Sequence, residues 1–308
     1  MADFDVVGLG EPLIEFNQTE PGQPVYRQGI GGDTFNAVVA AARQGARTAY
    51  IGRIGGGDDF GRLLRQLWRE EGVDASGMVE DAEANNGLYF IEHGEHGHQF
   101  SYVRRNSAAA RMQPADLDSG LVERSRYLHV SGISLGLSLS ACDTVFAAIE
   151  RARGAGTQVC LDANLRLKLW PLARARAVLR EAIAQADIFL PGMDDMTQLT
   201  GLSDPLAVLA WIRAVNPHCV VVLKKGREGV LLDQDGEQFA VAPRKVDAID
   251  ATGAGDCFAG SLLARLASGD NWRQAIEYAN AAAALSTTRY GAIAALPRAE
   301  QVRAFMQG

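Results

Sequence analysis

Asp250-Ala251-Thr252-Gly253-Ala254-Gly255-Asp256, followed at once by Cys257-Phe258-Ala259-Gly260-Ser261-Leu262-Leu263, is the stretch on which the reading of this chain turns. Small residues from Gly253 to Gly255 let the backbone approach a ligand closely. The apolar run behind them reads as a helix whose first N–H groups are open to an anion. Asp256 would be repelled by a bound phosphate unless it faced another group, and the obvious one is a hydroxyl whose proton it accepts. Helix-start donors for developing negative charge, with a carboxylate to orient an alcohol, are the parts that phosphoryl transfer needs. Taken alone, the stretch also reads as an ordinary Gly-rich loop with Asp256 as a helix N-cap.

Outward from this point the chain alternates strand and helix. Strands are predicted at Val6 to Gly10, Thr48 to Gly52, Tyr127 to Val130, Gln158 to Asp162, Ile188 to Leu190 and Val220 to Leu223. Helices are predicted at Thr34 to Gln44, ended by Gly45, at Phe60 to Glu71, closed by Gly72, and at Asp270 to Arg289. Short apolar strands separated by helices imply an α/β fold, a doubly wound, mostly parallel sheet with helices on both faces. Leu13 to Gln28 and Gly87 to Tyr102 break the rhythm with two-residue alternation, the second around a turn at Gly94 to Gly97. They predict a small antiparallel β-sheet inserted as a discontinuous lid. The expected division is residues 13–28 and 87–105 for the lid, with 1–12, 29–86 and 106–308 forming the main domain.

Composition narrows the function. The 308 residues are 47% hydrophobic, enough for a large core, and the net charge of −7, with lysine only at 168, 224, 225 and 245, predicts no nucleic-acid surface. Cys142, Cys160, Cys219 and Cys257 are far apart and in apolar surroundings, as buried thiols in a reducing compartment would be. No apolar run reaches the ~20 residues of a membrane span, and Met1 to Asp5 lacks the features of a signal peptide. A cytoplasmic protein with no membrane partner is expected. A P-loop is absent, and Gly8-Leu9-Gly10-Glu11-Pro12-Leu13 lacks the third glycine of a dinucleotide fingerprint.

Gly31-Gly32-Asp33-Thr34-Phe35-Asn36 near the start, paired with the Asp250–Asp256 stretch near the end, resembles the two signatures of the ribokinase-like (PfkB) carbohydrate kinases over nearly the whole chain. The resemblance implies a doubly wound α/β domain with a β-sheet lid, and ATP and Mg2+ as cosubstrate and cofactor. It also implies Asp256 as catalytic base and Gly253, Ala254 and Gly255 as the anion hole. By the same resemblance, Gly31, Gly32, Asp33 and Asn36 bind sugar hydroxyls. Asn164, Lys224, Gly226, Gly229 and Asn280 line the nucleotide. Without the family, Asp33 reads also as an N-cap and the Lys224–Gly229 segment as a tight hairpin with surface lysines. A monovalent cation near Asp250 and Thr252, and a homodimer or higher homo-oligomer through the lid, are further expectations from the family. The lid's outer face is then expected to carry apolar residues such as Val25 and Ile14.

Finer features look like 2-keto-3-deoxygluconate kinases: Gly8-Leu9-Gly10-Glu11-Pro12-Leu13, Gly87-Leu88-Tyr89, Tyr102-Val103-Arg104-Arg105, Leu128-His129-Val130-Ser131-Gly132-Ile133 and Leu161-Asp162-Ala163-Asn164-Leu165-Arg166 with Leu169-Trp170. A sugar acid needs a cationic partner, and the planar fork of arginine binds both carboxylate oxygens. Arg104 and Arg166 are the best placed, with Tyr89 and Tyr102 as hydroxyl contacts and a flat wall. The expected activity is ATP-dependent phosphorylation of a primary hydroxyl of a keto-deoxy sugar acid. A kinase of a neutral sugar, fructose or ribose, and a non-catalytic sensor on the same fold are the alternatives. One departure stands out: where the family carries Asn-x-x-Glu, this chain reads Gly192-Met193-Asp194-Asp195, leaving the metal ligands unassigned apart from Asp195. His93, His96 and His98, with Glu92 and Glu95, read as a polar lid turn in preference to a metal site. Asp256 is expected to be ionised at neutral pH because a helix N-terminus favours an anion.

Overall fold

Val6 and Val7, adjacent in sequence, are both fully buried but lie in different hydrophobic clusters. Successive side chains of a strand point to opposite faces, so a strand buried on both sides must be covered by helices on both. Val221 and Leu223 against Val222 repeat the division. The computed structural model, which describes residues 2–56, 58–94 and 97–307, has this architecture across the central strands of its main sheet.

Its strands, in chain order, are β1 (Phe4–Leu9), β2 (Leu13–Gln18), β3 (Tyr26–Gly31), β4 (Thr48–Gly55), β5 (Asp74–Asp81), β6 (Gly87–Gly94), β7 (Gly97–Val103), β8 (Ser125–Ser131), β9 (Gln158–Asp162), β10 (Ile188–Leu190), β11 (Val220–Lys224), β12 (Val230–Gln234) and β13 (Glu237–Val241). Nine form one sheet in the order β13-β12-β11-β10-β9-β8-β1-β4-β5, parallel from β11 to β5, with β12 and β13 antiparallel at one edge. The winding direction reverses between β1 and β8, and in such sheets ligands bind outside the carboxyl ends of the strands near that reversal. Helices Leu139–Ala155, Leu172–Ala184 and Pro205–Val215 cover one face; Asp33–Arg43, Ala254–Ala267 and Trp272–Ser286 cover the other.

A second sheet, β3-β2-β6-β7, stands apart from the first. Among its strands β2 and β6 are parallel and the outer pairs antiparallel, so the expected all-antiparallel pattern holds only at the edges. Phe16 stacks on Phe90, 5.1 Å between centroids, within this sheet. Val25 is 46% exposed, but Ile14 is fully buried in a cluster with Phe35 and Val38, which corrects its expected place on an outer face. Alternation alone does not say which side of a two-sided sheet meets the body. The turn read at residues 94–97, and His96 with it, falls partly outside the described residues.

The helix expected over 270–289 is shorter, Trp272–Ser286, because Asn271 and Gln274 form a reciprocal capping box that fixes its start. Strand β5 was not legible: its sequence DASGMVED is half-exposed at the sheet edge and carries no apolar run. All four cysteines are buried and free. Among the described residues, no helix is long and apolar enough to cross a membrane.

Candidate active site

Gly260 brings the two motifs together. A Cβ there would collide with the Ala37 carbonyl oxygen, so helices Asp33–Arg43 and Ala254–Ala267 pack at backbone range. Their first turns therefore adjoin, and Asn36 Nδ2 donates to Asp256 Oδ2 at 2.8 Å. Gly253 caps the second helix with φ 74°, a left-handed conformation that favours glycine. Asp250 shapes the turn before it. Its Oδ1 accepts from Thr252 N at 2.9 Å and Thr252 Oγ1 at 2.6 Å, and its Oδ2 from Gly291 N at 3.0 Å.

Gly253 to Asp256 line a cavity of about 440 Å3, within the range of small-molecule sites. Gly32, Asp33 and Asn36 lie on its wall, and Asn164 Nδ2 donates to Asp33 Oδ2 at 3.1 Å. Asn164 thus lines this cavity on the same side as Asp33. The small sheet supplies the opposite wall. Tyr89 and Tyr102 stack with centroids 5.9 Å apart, and Phe100 continues the stack at 6.4 Å from Tyr102. A side chain at Gly31 would run into the Tyr89 hydroxyl, which donates to the buried Glu15 carboxylate.

Both expected arginines line this cavity, and both already face an acid. Arg104 is nearly buried, is ion-paired with Glu11, and lies 5.6 Å from the Tyr102 ring centroid. Arg166, with its side chain 48% exposed, lies 3.8 Å from Asp195 and donates to the Leu165 carbonyl. Apart from the Arg104–Glu11 ion pair, two buried polar atoms at this wall, Arg104 Nε and Asn36 Oδ1, remain without a hydrogen-bond partner.

The cavity opens into a larger groove of about 1510 Å3, which Lys225, Gly226 and Arg227 also line; Arg166, Asp195, Lys224 and Gly255 belong to both. Lys224 ends β11 and Asp162 ends β9, and Lys224 Nζ donates to Asp162 Oδ2 at 2.6 Å. Burial alone would lower the Lys224 pKa, but Asp162, with Asp195 and Asp256, more than offsets it and the ammonium is held above its ordinary range. Asp195 is pushed up to about 6, by burial first and by Asp162 second. Gly229 serves the hairpin, with φ 86° and a Cβ position blocked by the Val241 carbonyl. Asn280 is half-buried, and its Nδ2 donates to the Ala242 carbonyl at 3.3 Å. Among the described residues no group of three or more His, Cys, Asp or Glu could hold a metal alone.

A family model described as pfkB family carbohydrate kinase matches residues 3–299. The chain belongs to this family. This carbohydrate kinase is 34% identical over 305 residues to the 2-dehydro-3-deoxygluconokinase of Thermoproteus tenax, covering 96% of this chain and 92% of that protein. It is 33% identical to Fructokinase-1 of Oryza sativa subsp. japonica, covering 98% and 97%. A crystal structure from E. coli in complex with ATP and Mg2+, ascribed to a ribokinase II, superposes with a TM-score of 0.90 at 26% identity over 98% of each chain. The enzyme is therefore an ATP-dependent carbohydrate kinase with a ribokinase-like fold.

One expectation about the kinase's chemistry is corrected. Asp256 is not a fully ionised carboxylate at neutral pH: its pKa is raised to about 7, by burial first and then by Asp33 and Asp162, which outweigh Asn36 and Lys224. The helix N-terminus is one favourable influence among several opposed ones. Sequence reading also missed the pairing of Glu11 with Arg104, Glu15, and the Asp162–Lys224 pair. An acid at the carboxyl end of an otherwise apolar strand, as in Gln158–Asp162, is the signal that could have found the last of these.

Proposed function

We propose that this kinase transfers the γ-phosphoryl group of ATP to a primary hydroxyl of a keto-deoxy sugar acid, 2-keto-3-deoxygluconate foremost. The observation that carries the reading is a buried arginine donor without a partner, Arg104 Nε, in a cavity floored by Asp256 and walled by Tyr89, Tyr102 and Arg166. An orphaned buried donor costs about 1 to 3 kcal/mol, and a carboxylate oxygen would satisfy it. Asn36 Oδ1, equally buried, suits a sugar hydroxyl. Asp33 and Asn164 would take the remaining hydroxyls. Asp256 orients the primary hydroxyl and accepts its proton, and the N–H groups from Gly253 to Gly255 face the charge on the transferred group. Closure of the small sheet as a lid would keep water from ATP.

ATP would occupy the larger groove, with Lys224 and Gly226 along its phosphates and Asn280 toward the base. Mg2+ takes one or two carboxylates and completes its shell with water and phosphate oxygens. Asp195 fits that demand, since its ionised form is disfavoured by burial and by Asp162, a charge a cation would balance. When bound, the ion would neutralise charge on the phosphates. A homodimer through the small sheet remains our reading of its exposed Val25 and Val103; a monomeric mass in dilute solution would contradict it.

A second reading, a neutral sugar such as fructose, is favoured by one observation: Glu11 already balances Arg104 and Asp195 faces Arg166. Single replacements Arg104→Met and Arg166→Met separate the two. For a sugar-acid kinase each raises KM for the keto-deoxy acid by about 10- to 100-fold, since a charge-assisted contact is lost, and changes KM for fructose far less. Equal effects on both substrates would overturn the sugar-acid reading.

A further inference from the structure

The chain crosses between the two sheets four times: at residues 10–12 into β2, at 31–32 out of β3, at 82–87 into β6 and at 104–107 out of β7. All four crossings converge on one residue. Glu11 lies in the first. At the second, a Cβ on Gly32, whose φ is 120°, would collide with the Glu11 carbonyl oxygen. At the third, a Cβ on Gly87 would lie 2.6 Å from Glu11 Oε1. At the fourth, the Ser107 hydroxyl donates to Glu11 Oε1 and the Arg104 guanidinium pairs with Oε2.

Glu11 is 2% exposed, so its carboxylate has left water and depends on these partners. Burial pushes its carboxyl above the ordinary range while Arg104 and Ser107 pull it back. Arg104 in turn touches the cavity and the Tyr102 ring. A rotation of the small sheet against the body has to turn about these crossings. The Glu11 backbone meets the second crossing, and its carboxylate, which meets the third and fourth, also orients the guanidinium at the cavity wall.

We infer that Glu11 is a positioning residue: it is the pivot that ties the four crossings together and fixes the Arg104 side chain at the sugar cavity, coupling sheet orientation to sugar binding. The inference rests on our reading of the cavity as the sugar site, but not on which sugar it takes.

A double-mutant cycle tests it, with Glu11→Gln, Arg104→Met and both together, assayed at saturating ATP on whichever sugar the wild-type enzyme turns over best. Gln keeps the size and one hydrogen-bond acceptor of Glu11 and removes the charge. Glu11→Gln is expected to raise the sugar KM about 10-fold or more with kcat changed much less, and the double variant to be no worse than Arg104→Met alone. KM unchanged in Glu11→Gln, or single effects that multiply in the double variant, would overturn the inference. A purely structural role would lower the melting temperature and the active fraction without moving KM. Should Glu11→Gln not fold, Ser107→Ala removes only one hydrogen bond to the same carboxylate. It is expected to raise KM about 3-fold or more, and a lowered melting temperature at unchanged KM would overturn the inference. If the wild-type enzyme prefers fructose, the substrate reading fails and the cycle, run on fructose, still decides the role of Glu11.

Discussion

Replacing Asp256 by Asn is expected to lower kcat by about a thousandfold, within the range for loss of a positioned proton acceptor. The variant keeps the acceptor for Asn36, which donates to Oδ2 at 2.8 Å, so the helix contact survives and the loss reports the carboxylate. The wild-type enzyme should show kcat/KM rising with pH through about 7 as this half-buried group ionises. In Asp256→Asn that rising limb should be absent from the residual rate. A variant with near-wild-type turnover would remove Asp256 from the chemistry.

The same residue carries a stability consequence of opposite sign. A carboxyl whose pKa is raised on folding binds its proton more tightly in the native state. Stability therefore falls as pH rises from about 4, near its unfolded value, to about 7, its folded value. Asp256→Asn removes this cost. The variant is expected to be more stable than wild type by about 1 to 2 kcal/mol at pH 8, the shift being discounted for the access of solvent to the cavity, and the gain should vanish toward pH 4. Thermal melts across that range read it directly, and a variant less stable at pH 8 would contradict the burial argument.

Gly260→Val is expected to be the most damaging change away from the cavity, costing about 3 kcal/mol or more. The Cβ alone meets the Ala37 carbonyl, a backbone atom that cannot rotate aside, so the two helices must separate. Separation breaks the Asn36–Asp256 bond, and folded variant should lose turnover as well. Gly154 is the control. It also lies within a helix, Leu139–Ala155, but a Cβ there meets nothing within 4 Å. Gly154→Ala is expected to stabilise by about 0.5 to 1 kcal/mol through helix propensity. Similar effects of substitution at the two glycines would show that Gly260 does not set the approach of the helices.

The contrast between these glycines illustrates what sequence could and could not reveal. Helix Phe60–Glu71 and strands Gln158–Asp162 and Ile188–Leu190 have the bounds that their apolar runs and flanking glycines predict. Buried strands are legible because both faces must be apolar. Strand β5, polar and at an edge, is not. Within the site, residues adjacent in a motif could be read, but partners contributed by distant segments could not. Arg104 announces itself as a cation on a lid strand; that Glu11 balances it depends on the crossings between two sheets. Likewise the helix start at Gly253 suggests an ionised Asp256, whereas burial first, and then Asp33 and Asp162 from two other segments, reverse the balance. Electrostatics in this cleft is a property of convergence, which one-dimensional spacing does not carry.

The most direct test of the central claim is a coupled ADP-release assay of the wild-type enzyme with ATP and Mg2+, comparing 2-keto-3-deoxygluconate with fructose and ribose under one set of conditions. A kcat/KM at least about 10-fold higher on the keto-deoxy acid is expected, the margin one well-placed charged contact provides. A preference for fructose or ribose would contradict it, leaving a carbohydrate kinase whose arginines serve the architecture of the cavity instead of a substrate carboxylate.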